Sequence, residues 1–159
     1  MVNPKKTVKY IFIFYLILVF NFVIIKFFGD FGSLIDRIKD RIELIKNGYW
    51  HLQIRPFETL WPSIKLIMSG TGGPAMHNLI ANVIVFIPMG LLIPMLLSKP
   101  SFVKAIGISI GLIATVELLQ FITLLGVADI DDVIVNTSGA IIGYIFYSIV
   151  KTFITSIRT

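Results

Sequence analysis

Four apolar runs, each about 20 residues long, dominate this chain, and as helix that length matches the roughly 30 Å hydrocarbon layer of a bilayer. They cover Tyr10–Phe28, Asn78–Leu97, Val103–Leu125 and Val133–Ile154. Of the 159 residues 56% are hydrophobic, above the roughly 45–50% of soluble domains, which argues against a water-soluble core. Spanning backbone must satisfy its own hydrogen bonds, which leaves helices as the form these runs can take. The sequence predicts an all-α integral membrane protein, a bundle of four transmembrane helices.

The first run follows Lys5, Lys6 and Lys9, as the core of a signal peptide would. Its apolar stretch exceeds the usual core of about 7–15 residues, and Lys26-Phe-Phe-Gly-Asp30 offers no small-x-small cleavage site. It reads as a retained helix. Short connections make the last three spans antiparallel neighbours. The long connection, 29–76, differs: Leu34, Ile35, Ile38, Ile42 and Ile45 recur at helical spacing among Asp36, Arg37, Lys39, Asp40, Arg41 and Glu43. That spacing predicts an amphipathic helix lying on the membrane surface. Trp50 and Trp61 suit the aromatic belt, and Gly70-Thr-Gly-Gly-Pro74 reads as a turn into the second span. The chain divides into an N-terminal anchor (1–28), an external interfacial segment between helices 1 and 2 (29–76) and a three-helix membrane core (77–155).

A net charge of +5 does not imply a nucleic-acid partner here, because the basic residues sit where membrane topology puts them. Lys5, Lys6, Lys9, Lys99, Lys104, Lys151 and Arg158 lie in short segments free of acids, whereas Ala128-Asp-Ile-Asp-Asp132 holds no base. The positive-inside rule then predicts both termini cytoplasmic and 29–76 outside. The chain has no Cys, which excludes disulfides, thiolate metal sites and cysteine catalysis.

A charged side chain at mid-span costs about 2.5–3.5 kcal/mol on insertion scales, so Glu117 in the third span requires an explanation. It stands about eight residues, or roughly 12 Å, from the outer end of the span, with Gln120 beside it. Asn78 and Asn82, four apart, share a face of the second span. Asp129, Asp131 and Asp132 introduce the fourth, where Asn136, Ala140, Gly143 and Tyr147 form a packing stripe. Although the helices alternate in direction, Asn78, Asn82, Glu117, Gln120, Asp129, Asp132 and Asn136 all reach the outer third of the bilayer or its surface, and they are the candidate ligand-binding residues.

Structural roles compete for several of these. Asp131 or Asp132 can cap the fourth helix, and Asn82 and Asn136 can bond helix to helix. Gly107/Gly111 and Gly139/Gly143 are G-x-x-x-G pairs that permit close packing, Asn21 reads as a packing residue, and Pro88 and Pro94 are expected to bend the second span. His51 and His77 are isolated, so no cofactor and no metal are expected; Asp129 and Asp132 are weak candidates for a cation, without the Gly and distal Glu of an EF-hand loop.

Three ordered motifs, Asn82-Val-Ile-Val-Phe-Ile-Pro-Met-Gly-Leu-Leu92, Glu117-Leu-Leu-Gln-Phe121 and Asp129-Ile-Asp-Asp-Val-Ile-Val-Asn-Thr-Ser-Gly139, resemble the VanZ-like family. The resemblance covers roughly residues 54 to 147, including Arg55-Pro-Phe57 before the second span. It implies a protein of the bacterial cell membrane, in a family whose founding member lowers susceptibility to teicoplanin and related lipoglycopeptides without remodelling their D-Ala-D-Ala target. The family's polar positions carry over onto Asn82, Glu117, Gln120, Asp129, Asp132 and Asn136, with no agreed role for any of them. The charged segment 29–50 lies outside the match.

The leading expectation is a binding protein, whose polar cluster recognises the head group of a membrane lipid or lipid-linked cell-wall precursor, or changes what a lipoglycopeptide can reach. The alternative is a membrane-embedded enzyme acting on a lipid-linked phosphate, with Glu117 and Asp132 as candidate catalytic residues and Asp129 and Asp132 orienting the phosphate through a cation. With no His in the matching motifs and no Arg in spans two to four, the usual phosphate-binding side chains are expected to be missing from the site. A transporter is a third class; four spans would require a homo-oligomer, and no inverted repeat marks one.

Overall fold

The computed structural model describes residues 4–21, 31–50 and 52–158. The elements in order are α1 (Pro4–Val19), α2 (Phe31–Lys46), β1 (Leu52–Gln53), α3 (Leu60–Met68), α4 (Gly73–Leu96), α5 (Phe102–Thr123), β2 (Ala128–Asp129) and α6 (Ile130–Arg158). Among the described residues three helices are long and apolar enough to cross a membrane: α4, α5 and α6, over Ile130–Ile157. The helix α1 has 16 residues; the rest of the first apolar run, 22–28, lies outside the described residues, as does His51.

Local chemistry sets the helix ends. Pro74 stands in the first turn of α4, where its missing N–H has no intrahelical acceptor to lose. Ser101 caps α5, its Oγ accepting the Lys104 N–H at 3.3 Å. At the far end of α5, Leu124 takes up the left-handed conformation with φ of 59°, which stops the helix. Pro88 and Pro94 both lie inside α4, which runs through them as one helix.

The closest packing is between α4 and α6. A Cβ placed on Gly139 would lie 2.2 Å from the Val83 carbonyl oxygen, one on Gly143 2.0 Å from that of Ile87, and one on Gly90 1.8 Å from that of Ala140. Backbone meets backbone here, and only the absence of side chains permits it. The other G-x-x-x-G pair does not pack within the chain: around Gly107 and Gly111 of α5 there is open space. The helix α1 lies against α4, burying Tyr15 and Val19 with Phe86 and Met89, while the Tyr15 hydroxyl donates to the Val85 carbonyl at 2.9 Å. Asn21, expected to pack, is exposed.

Between α5 and α6 the chain folds back inward instead of crossing the end of the bundle. Ala128 and Asp129 are buried there and pair in parallel with β1, Leu52 opposite Ala128 and Gln53 opposite Asp129. No alternating apolar pattern announces a strand so short, whose pairing depends on a partner some 75 residues away in the chain.

Candidate functional site

The carboxylate of Asp131 organises the segment that enters α3. Its Oδ1 accepts the Phe57 N–H at 2.6 Å; its Oδ2 accepts the N–H groups of Thr59 and Leu60, both at 2.9 Å, and faces the Thr59 hydroxyl at 2.8 Å. A helix of nine residues has orphan N–H groups at its start like any other, and here an acid from a distant helix satisfies them. Capping was expected of Asp131 or Asp132, but on their own helix. Asp131 caps α3, because the inward fold of 124–129 carries the first turn of α6 against Thr59. Phe57 is held at a φ of 67°, a conformation rare for a bulky side chain, and its N–H points at Asp131.

Asp129 is the cap of α6 itself: its Oδ1 accepts the Asp131 N–H at 2.8 Å, and its Oδ2 faces the same Thr59 hydroxyl at 2.8 Å. Both oxygens of Asp129 thus hold the chain in place, which gives this candidate cation ligand a structural role. Its backbone N–H donates to Glu117 Oε2 at 3.2 Å. Glu117 stands six residues before the end of α5, and the returning loop meets it at its own level instead of passing above it. Gly126 lies so close over Gln120 that a Cβ there would come within 2.8 Å of the Gln120 Nε2. On the facing helix, Asn82 donates to Asp132 Oδ1 at 3.1 Å, joining α4 to α6.

Around these contacts lies a cavity of about 620 Å³. Asn78, Asn82, Glu117, Gln120, Asp129, Asp132 and Asn136 all line it, brought together from α4, α5, β2 and α6. Burial deepens from mouth to floor. His77 and Asn78 are exposed, Asn82 and Asp132 are half-buried, Glu117 keeps 6% of its surface and Asn136 only 1%. The Asn136 Oδ1 accepts no hydrogen bond among the described residues. A buried amide oxygen left in that state costs about 1–3 kcal/mol, so the floor presents an acceptor suited to a donor from outside the chain.

One expectation is corrected. The spans carry no arginine, but Arg37 and Arg41 of α2 line the same cavity, with His77 at the start of α4. Their spacing of four places both on one face of the amphipathic helix, which brings its polar side to the cavity. The side chains that bind anions are therefore present, supplied by the segment outside the matching motifs. Arginine four residues from arginine was visible in the sequence; where that face pointed was not. His77 Nδ1 lies 2.6 Å from the Gly73 carbonyl oxygen. No group of three or more His, Cys, Asp or Glu side chains among the described residues is placed to hold a metal ion.

The site's chemistry is divided. Carboxylates and an amide oxygen occupy the floor, cationic donors line the same space from α2, and the surrounding helices are apolar. Such a cavity can bind and orient a polar group. Glu117 and Asp132 also have oxygens that could accept a proton.

The VanZ/LLP1 family model matches residues 12–151. Protein VanZ of Enterococcus faecium is 39% identical over 73 residues, which is 46% of this chain and 45% of that relative. The matched stretch thus spans less than half the length of the relative. No solved structure matches the chain. With a match that runs from the first helix through most of the last, this chain belongs to the VanZ/LLP1 family.

Proposed function

We propose that the protein binds the polar head group of a membrane lipid or lipid-linked cell-wall precursor in the cavity between α4, α5 and α6, and that it thereby lowers susceptibility to teicoplanin and related lipoglycopeptides. The observation that carries this reading is the convergence of polar residues from separate elements on a single cavity, with an orphaned acceptor on its floor. Apolar helices seldom carry buried polar side chains without a function for them. On the proposed orientation, with both termini cytoplasmic, the cavity opens at the outer leaflet, where wall precursors and glycopeptides meet. Binding alone suffices and needs no covalent step.

The test is teicoplanin susceptibility of a sensitive Gram-positive host expressing wild type or Glu117→Gln at matched membrane levels, with vancomycin for comparison. Wild type is expected to raise teicoplanin tolerance, and Glu117→Gln to return it to the level of the empty vector. Equal protection by both would remove the cavity from the explanation, and no protection by either would remove the function.

Arg37 and Arg41 favour a second reading, in which the site acts on a lipid-linked phosphate with Glu117 or Asp132 as general base. It predicts a changed lipid profile in cells making the protein. Identical profiles with and without it would leave binding alone.

A further inference from the structure

We infer that the head group taken by this cavity is zwitterionic, a phosphate joined to a primary ammonium, with the phosphate at Arg37 and Arg41 and the ammonium at Glu117 and Asn136. The inference rests on the binding reading above and gives it a ligand class.

Three features of the cavity lead there. Its charges are mixed: Arg37 and Arg41 line it together with Glu117, Asp129 and Asp132. A purely anionic ligand would meet the carboxylates, and a purely cationic one the arginines, whereas a zwitterion matches the sign of each. The polar groups are also graded by depth: the arginines and Asp132 are half-buried, whereas Glu117 and Asn136 are buried. The anion therefore belongs near the mouth and the cation on the floor. Finally, the orphaned atom on the floor is an acceptor, Asn136 Oδ1. An ammonium brings three N–H donors and no acceptor, which fits an amide oxygen in a cavity that carboxylates also line. A quaternary ammonium has no N–H to offer and leaves that oxygen unsatisfied.

The surroundings fit a lipid as the source. Ile80 and Ile84 of α4 and Leu118 and Ile122 of α5 are exposed apolar residues on the helices that line the cavity, a surface along which acyl chains can lie. A volume of about 620 Å³ is ample for a phosphate and a short aminoalkyl arm.

The experiment is native mass spectrometry of the full chain in detergent with a panel of lipids of matched acyl chains. The panel comprises phosphatidylethanolamine, phosphatidylcholine, phosphatidic acid, a diacylglycerol glucoside, and an aminolipid without phosphate. Phosphatidylethanolamine is expected to bind about tenfold more tightly than each of the others, the worth of one charge-assisted hydrogen bond. Arg37→Gln/Arg41→Gln should bring phosphatidylethanolamine down to the level of the aminolipid, with thermal unfolding in detergent confirming that the variant is folded. Free O-phosphoethanolamine should compete only in large excess; competition at equal concentration would overturn the lipid as the source. Phosphatidic acid binding as well as phosphatidylethanolamine would overturn the zwitterion, and phosphatidylcholine binding as well would overturn the primary ammonium; either result leaves head-group binding intact. Preference for the glucoside would do the same. If no lipid of the panel is retained, both the zwitterion and the lipid reading fall.

Discussion

The Asp131 carboxylate on α6 accepts the backbone N–H of Leu60 at 2.9 Å, across 71 positions of chain, and so an acid at the start of one helix fixes the start of another. The same carboxylate takes the N–H groups of Phe57 and Thr59. The start of α3, the helix before α4, is held through this side chain.

Asp131→Ala should therefore cost about 2–3 kcal/mol of stability, from a lost helix cap and backbone donors left without acceptors. Thermal unfolding in detergent measures it. Asp131→Asn, which keeps an acceptor oxygen, should lose about half as much. Limited proteolysis should show new cleavage within 52–60 in the alanine variant; an unchanged pattern with unchanged stability would mean that water replaces the clamp.

The two G-x-x-x-G pairs should respond oppositely to alanine. Gly143→Ala places a Cβ about where the Ile87 carbonyl oxygen already lies, and overpacking of this kind costs about 1–3 kcal/mol. Gly111→Ala meets open space and should be neutral or stabilising by up to about 1 kcal/mol, since alanine is the better helix former. Unfolding of both variants under one detergent condition checks the contrast. A large loss at Gly111 would indicate a helix from a second copy against α5.

Asn82 and Asp132 should show energetic coupling. A double-mutant cycle with Asn82→Ala and Asp132→Ala is expected to give about 0.5–2 kcal/mol, the range of hydrogen bonds between helices in lipid. Additive losses would show that the contact at 3.1 Å holds little of the α4–α6 pairing.

The absence of native Cys makes the proposed orientation directly testable. Asn47→Cys, at an exposed turn after α2, should react with a membrane-impermeant maleimide in intact cells. Thr155→Cys, exposed near the end of α6, should react only after permeabilisation. The reverse pattern would put the cavity at the inner leaflet and move the proposed ligand to lipids found there.

Period and length carried much of the fold. The α4, α5 and α6 helices follow from apolar runs long enough to cross a bilayer, and the alignment of Asn78, Asn82, Glu117 and Asn136 near one end follows from helices of alternating direction with a fixed rise per residue. Gly139 and Gly143 are a recognisable packing pair for the same reason, because small residues four apart share a face.

Tertiary structure alone decided the rest. The sequence offers Asp131 or Asp132 as a capping residue but not the helix it caps, since a carboxylate can serve any N–H that the chain brings within 3 Å or so. It shows Arg37 and Arg41 on one face of an amphipathic helix, and a membrane surface would have satisfied that face equally well. Which G-x-x-x-G pair packs depends on the neighbour it meets, and the bridge between Leu52 and Ala128 has no local signature at all. Helical period and hydropathy are local properties, written into successive residues. Which acid meets which N–H, and which arginine faces which cavity, are fixed only when distant segments pack.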